Sequence, residues 1–280
     1  MVGKAPGGVY LCQVNDVTSC GACCGLYNLP DLSRSFLRAL LDRRTSIFAS
    51  VSRKIAAIDK FAIEESRRIS DSKPFAKFHH CPFVGFIGSN RSRVGCLLHP
   101  LAEGNEGIDY RGLSYYGQMA CRDYFCPATH NLSPELNGIL RRLELDWYSY
   151  GLIITETALH QALFDILTEY YSKDRISAYL RNDTFSVQWC RKIFTLKLTW
   201  PYRKTGKSLC HYFFEDGNYC RPEIDYERLN TAPSRYDTIL RELDSEFESK
   251  EDLKKAEDLL DQKIMLPNKN YFFDFPLQGD

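Results

Sequence analysis

Near its N-terminus the chain reads Cys20-Gly21-Ala22-Cys23-Cys24-Gly25, with three cysteines within five residues. The spacing of Cys20 and Cys23 lets two thiolates turn toward one ion, and the glycines allow the tight backbone that this requires. Side chains of adjacent residues diverge in both helices and strands, so Cys23 and Cys24 do not easily share one tetrahedral ion. The stretch predicts a metal site in which these two cysteines serve two ions or different irons of one cluster.

The other cysteines of the N-terminal region extend this pattern. Eight of the 11 cysteines lie within the first 126 residues, and two of them precede a proline, which stiffens the chain beside a ligand. The candidate metal ligands are Cys12, Cys20, Cys23, Cys24, Cys81, Cys96, Cys121 and Cys126. Eight thiolates supply two zinc sites of four ligands each, or one iron–sulfur cluster with spare thiols. The alternative is a set of buried free cysteines that act as small apolar side chains, and we favour this for Cys190, Cys210 and Cys220.

Three further side chains are candidates for the immediate surroundings of the metal, namely His80, His99 and Arg122. Each would bring a donor or a positive charge near sulfur, which raises the potential of a cluster. The alternative is an ordinary surface side chain or a loop histidine with satisfied hydrogen bonds. The cysteine spacing matches neither a ferredoxin run nor a zinc-finger ladder, so zinc and an iron–sulfur cluster both stay open.

Composition excludes several classes of protein. The chain has 280 residues, of which 44% are hydrophobic and 26% charged, as in soluble globular proteins. Its 36 basic residues equal its 36 acidic ones, which argues against a dedicated nucleic-acid binder. No stretch reaches the roughly eighteen apolar residues of a membrane span, and the N-terminus does not read as a secretory signal. We therefore expect a cytoplasmic protein whose reduced thiols bind metal, with neither nucleic acid nor membrane as a partner.

Hydrophobic periodicity predicts a mainly α fold. Apolar residues recur in steps of three and four from residue 31 to residue 70, which indicates a helical arm with a break near Thr45 and Ser46. Ser133 and Pro134 form a helix start, and further helices are predicted over about 156–171, 183–199 and 235–264. An Asp-Gly pair predicts a small β-hairpin at about 208–220. We expect a metal-stapled, loop-rich cysteine region over 1–130, with the arm inserted in it, packed on a helical region over 131–280.

The ordered cysteines resemble the YkgJ-like cysteine-cluster family, which is described as a zinc- or iron-chelating domain with a CxxCxxCC-type motif. The resemblance covers about residues 10–130 and rests on Cys20-Gly21-Ala22-Cys23-Cys24, Cys81-Pro82-Phe83, Cys96 and Cys121-Arg122. It implies a bound zinc ion or iron–sulfur cluster and a poorly defined redox activity. The chain departs from the family pattern at His99-Pro100, where the family has Arg-Pro, and 20 residues then precede Cys121. The departure makes His99 a candidate extra ligand.

Three functional hypotheses follow. The first is a metal-binding protein whose biochemical role is undefined. The second is an iron–sulfur oxidoreductase or protein-modifying enzyme, because related cysteine-cluster sequences occur in proteins associated with flagellin lysine methylation. The third is an interaction module that the metal only staples, with a protein partner bound by the C-terminal helices, since residues 221–280 hold 9 basic and 15 acidic side chains. No nucleotide-binding or His-Glu-x-x-His motif is present, so the sequence leaves enzymatic activity open.

Overall fold

The computed structural model of the chain describes residues 10–69, 73–114, 117, 121, 124–172, 176, 184–206, 209–211 and 221–265. These residues form ten α-helices, which confirms the expectation of a mainly helical protein, and one two-stranded antiparallel sheet at a place where none was predicted. Within the same residues, no helix combines the length and apolar character that crossing a bilayer requires.

The chain divides into two compact units. The first comprises Met1–His160 and Ser208–Tyr219, and the second comprises Gln161–Lys207 and Cys220–Asp280. All eight candidate cysteine ligands belong to the first unit. The domain boundary that we predict near residue 130 rests on the distribution of cysteines along the chain. The two compact units are defined by packing and do not test it, so the boundary stays a prediction.

The predicted helical arm consists of two helices, α1 over Arg34–Ala49 and α2 over Ile55–Arg68. Ser33 caps α1 by accepting a hydrogen bond from the Phe36 N–H, which satisfies a donor that the helix leaves free. The predicted break near Thr45 is wrong, because the two helices part only after Ala49. The Thr45 hydroxyl instead accepts from the Phe86 N–H at 2.7 Å and donates to the Phe86 carbonyl at 3.3 Å, so it ties α1 to the sheet.

The sheet lies inside the glycine-rich part of the cysteine region. Strand β1, Val84–Ile87, pairs with β2, Arg93–Cys96, so that Val84 faces Cys96 and Gly85 faces Gly95. A Cβ at Gly95 would lie 2.4 Å from an Ile87 methyl. Glycine, which has no side chain, therefore leaves room for this neighbouring apolar residue. The hairpin that we predict at 208–220 falls largely outside the described residues.

Four helices follow the cysteine region, namely α3 (Pro127–Asn131), α4 (Pro134–Arg141), α5 (Trp147–Ile153) and α6 (Thr157–Tyr170). The predicted start of α4 is confirmed, because Ser133 accepts a hydrogen bond from the Leu136 N–H. Two buried tyrosines fasten α5 to the cysteine-bearing loop. The Tyr150 hydroxyl donates to the Leu11 carbonyl at 2.8 Å, and the Tyr27 hydroxyl donates to the Trp147 carbonyl at 3.1 Å.

The described part of the second compact unit consists of helices joined by turns and loops. Its helices are α7 (Thr184–Phe194), α8 (Leu196–Thr199), α9 (Asp237–Glu242) and α10 (Lys250–Ile264). The Trp189 indole donates to the Lys263 carbonyl at 3.0 Å and so joins α7 to α10. The prediction of one or two helices over 235–264 is confirmed with two.

Candidate metal centre

Four cysteines of the first unit surround one small cavity. Cys12, Cys20, Cys23 and Cys126 line a space of about 10 Å³ together with Leu11, Ala22, Ile154 and Thr155. This volume is close to the smallest that holds one water molecule, so the cavity suits a single small particle. We call Cys12, Cys20, Cys23 and Cys126 the first cysteine group.

Short local structures bring the first group together. The Cys20 N–H donates to the Cys12 carbonyl at 3.0 Å, which closes a tight loop between these two residues. Cys23 lies in a 3₁₀ turn over Ala22–Cys24, and Cys126 precedes the first residue of α3. The Thr129 hydroxyl lies 3.7 Å from the Cys126 sulfur, one turn into that helix. Three separate segments of the chain therefore meet at this cavity.

Three of the remaining four candidate ligands gather around an apolar cluster. Cys81 belongs to a buried cluster with Phe48, Phe61 and Phe83, and Cys24 and Cys96 pack against the same cluster. The Cys81 N–H donates to the Cys24 carbonyl at 2.8 Å, so these two loops run side by side. Cys121 is exposed and lies outside this cluster, with its sulfur 3.1 Å from the Ser114 hydroxyl, and in its ionised form it raises the pKa of Cys81 and of Cys96. We call Cys24, Cys81, Cys96 and Cys121 the second cysteine group.

The environment of the thiols differs from site to site. The hydrogen bond from Cys12 lowers the pKa of Cys126 to about 6, and the same bond raises the pKa of Cys12 well above its usual value. Burial raises the pKa of Cys81 to about 11 and that of Cys96 to about 12. Most of these thiols are therefore protonated near neutral pH unless a cation binds them.

Two pairs of these thiols are hydrogen-bonded to each other. Cys12 donates to Cys126, and a hydrogen bond between Cys23 and Cys24 lowers the pKa of Cys23 and raises that of Cys24. Within the described ranges, no three side chains of His, Cys, Asp or Glu are arranged to hold a metal ion. The donor set fits a thiophilic metal in kind and number, but coordination requires the paired thiols to turn away from each other. The metal-stapled form of this region therefore stays a prediction.

The predicted neighbours of the metal occupy different positions. His80 uses both ring nitrogens, because Nδ1 lies 2.7 Å from the Gly25 carbonyl and Nε2 lies 2.9 Å from Arg44 Nη1. Burial and the Arg44 charge lower the pKa of His80 to about 3, so this ring is neutral. His99 accepts a hydrogen bond from the Leu101 N–H at 3.1 Å through Nδ1. Arg122 lies outside the described residues.

Sequence reasoning missed two groups of side chains near the cysteines. Arg44 and Glu65 are buried in the arm, where the sequence predicts only an amphipathic helical arm and no buried charge. Cys210 is buried, as predicted, but its sulfur lies 3.9 Å from the Thr155 hydroxyl at the edge of the cavity and it raises the pKa of Cys20. Cys210 follows Cys20 by 190 residues, so nothing in the local pattern marks it as a neighbour.

Comparisons with protein-family models, curated proteins and solved structures found no match to this chain.

Gly25 gives the first testable prediction. Its φ of +72° is a left-handed conformation, and a Cβ there would lie 2.1 Å from the His79 carbonyl oxygen. We expect Gly25→Ala to lower the free energy of unfolding by about 3 kcal/mol, as backbone strain and a backbone clash add. Urea denaturation measures the loss. Gly107→Ala is the matched control, since its φ is +81° with no atom within 4 Å of the added Cβ, and we expect it to cost about 1 kcal/mol. Equal losses for both variants would rule out the close approach as a cause.

Proposed function

We propose that this chain is a metal-binding protein that holds two metal centres, one in each cysteine group. The observation that carries the proposal is the placement of the N-terminal cysteines within one compact unit, where four line one cavity and three of the other four lie at one apolar cluster. The proposal assigns Cys23 to the first set and Cys24 to the second, so the hydrogen bond between their thiols would have to break when metal binds. Four thiolates suit zinc or an iron–sulfur cluster equally well.

The protein's own residues would act in distinct ways around such centres. The first group lies against the Thr155 and Thr129 hydroxyls, which can donate hydrogen bonds to sulfur. The second group lies between aromatic side chains, which exclude water from one side, and the exposed Cys121, which leaves the other side open. Bound zinc would contribute folding free energy, whereas a cluster would add electron transfer.

Metal analysis of anaerobically purified protein tests the proposal. We expect two equivalents of zinc per chain, or iron together with acid-labile sulfide, and we expect Cys23→Ser and Cys24→Ser each to remove one centre. Cys190→Ala is the control, because this buried cysteine lies in the second unit and should leave the metal content unchanged. Wild-type protein with neither zinc nor iron would contradict the proposal.

An iron–sulfur oxidoreductase is the second candidate, and the exposure of Cys121 favours it, since electron exchange needs a centre near the surface. A brown protein whose visible absorbance is bleached by dithionite would support this candidate. A colourless protein with stoichiometric zinc would exclude it. The protein-modifying and interaction-module hypotheses stay predictions.

A further inference from the structure

A buried charged cluster lies beside the second cysteine group. Arg44 of α1 has no exposed side-chain surface, and Glu65 of α2 is 2% exposed. Arg44 Nε donates to a Glu65 carboxylate oxygen at 3.2 Å, and the Arg43 guanidinium binds both oxygens of the same carboxylate. Arg68 Nε also lies 3.7 Å from this carboxylate, so one buried carboxylate serves three arginines, and the bidentate pair with Arg43 already matches its single negative charge.

The other contacts of Arg44 are with neutral groups. Nη1 donates to His80 Nε2 at 2.9 Å and to the Cys81 carbonyl at 3.2 Å. His80 Nε2 accepts this hydrogen bond from Arg44, because the ring proton is on Nδ1, which donates to the Gly25 carbonyl. Nη2 is buried, and no hydrogen-bond acceptor for it occurs in the part of the chain that the structure describes. Arg44 thus carries a buried positive charge that lacks a full opposite charge of its own, which is costly in an apolar interior.

The second cysteine group supplies the missing charge when it binds metal. As thiols its four members are neutral. As four thiolates around a divalent ion they carry two net negative charges. Arg44 lies against the Cys81 backbone and, through His80, against the loop that follows Cys24. We propose that Arg44 is the buried counter-charge of the second cysteine group and selectively favours metal binding there.

This inference rests on the proposed function, and it assigns Arg44 as a positioning residue that need not ligate the metal. It predicts an asymmetry between the two groups. Apart from burial, the thiols of the first group are affected by other cysteines, backbone N–H groups and the Thr129 hydroxyl. In the second group Arg44 lowers the pKa of Cys81, and Arg111, which is paired with Asp109 at 2.6 Å, lowers that of Cys96. Removing the Arg44 charge should therefore weaken one centre and spare the other.

Cobalt(II) titration under anaerobic conditions tests the inference, because thiolate-to-cobalt absorption reports each bound ion. The Cys24→Ser background retains only the first group, and the Cys23→Ser background retains only the second. We expect Arg44→Met to weaken cobalt binding by about tenfold or more in the Cys23→Ser background and to leave it unchanged in the Cys24→Ser background. Arg44→Lys, which keeps the charge, should restore most of the loss.

Two further measurements separate a counter-charge from a merely structural role. Because cobalt binding releases thiol protons, Arg44→Met should move the pH midpoint of binding upward in the Cys23→Ser background. Arg43→Met is the matched control, since it also loses a partner of Glu65 but leaves Arg44 in place, and its pH midpoint should not move. Equal weakening of both groups by Arg44→Met, or no weakening of the second, would overturn the inference. Absence of cobalt binding by the wild-type protein would instead refute the proposed function.

Discussion

Metal-free protein is expected to lose the cooperative folding of the first compact unit. Its cysteine loops run from residue 10 to residue 32 and from residue 73 to residue 126, and the described parts contain little regular structure besides the β1–β2 hairpin. Bound metal stabilises the folded state in proportion to the logarithm of free metal over its dissociation constant, which gives about 4 kcal/mol for each centre at a thousandfold excess. Two centres make this the largest effect that we predict.

Urea denaturation followed by circular dichroism, with and without a chelator, measures this loss. Amide hydrogen exchange locates it, because protection should fall in α1 and α2 and should persist in α10. Adding zinc back to the chelated protein should restore the midpoint, whereas magnesium should not, since it prefers oxygen ligands. Identical unfolding midpoints in the presence and absence of chelator would contradict the prediction.

Glu65→Gln should produce the second largest effect. The substitution keeps the shape of the side chain but removes the only carboxylate bonded to Arg44 among the described residues, and Arg44 itself has no exposed side-chain surface. Breaking a buried ion pair on one side typically costs about 3–5 kcal/mol, because the remaining charge stays buried. Glu64→Gln is the matched control on the same helix, since Glu64 is 53% exposed and lies 3.9 Å from Lys60, and its cost should be below about 0.5 kcal/mol.

The pH dependence of Glu65→Gln gives an independent check. Burial alone would raise the pKa of Glu65, but the hydrogen bonds and charges of Arg43 and Arg44 outweigh it and lower the pKa. A lowered pKa means that the carboxylate stabilises the fold above its unfolded pKa of about 4.3, and that this stability is lost as the pH falls further. The difference in unfolding free energy between wild type and variant should therefore shrink between about pH 5 and pH 3. A difference that stays constant over this range would show that the carboxylate charge is not the cause.

The sequence predicted those helices and caps that depend on side chains close to one another along the chain. The cap at Ser133, the amphipathic arm and the helices near the C-terminus follow from side chains within a few residues of each other. The hairpin at Val84–Cys96 was missed because its glycines read as a loop, and only the facing pair Gly85 and Gly95 with their apolar neighbours shows why glycine suits these strands.

The candidate site also has some features that neighbouring residues predict and others that depend on contacts between distant parts of the chain. That adjacent cysteines do not easily share one ion is a local expectation. The hydrogen bond between Cys23 and Cys24 was not predicted, and the partnership of Cys12 with Cys126 spans 114 residues and depends on how the whole unit folds. Arg44 did leave a signal in the sequence. It falls on the apolar stripe of α1, three residues after Leu41 and four before Phe48, and a charged residue at such a position needs a buried partner.

The 3₁₀ turn over Ala22–Cys24 has a consequence for the order of metal uptake. It places one candidate ligand of each group on consecutive residues, so the two proposed centres would share a single peptide unit. An ion bound through Cys23 would restrict the backbone torsions that orient Cys24, and the second ion would then bind with less loss of conformational entropy. Loading is therefore expected to be cooperative, with few chains that carry only one ion at partial saturation.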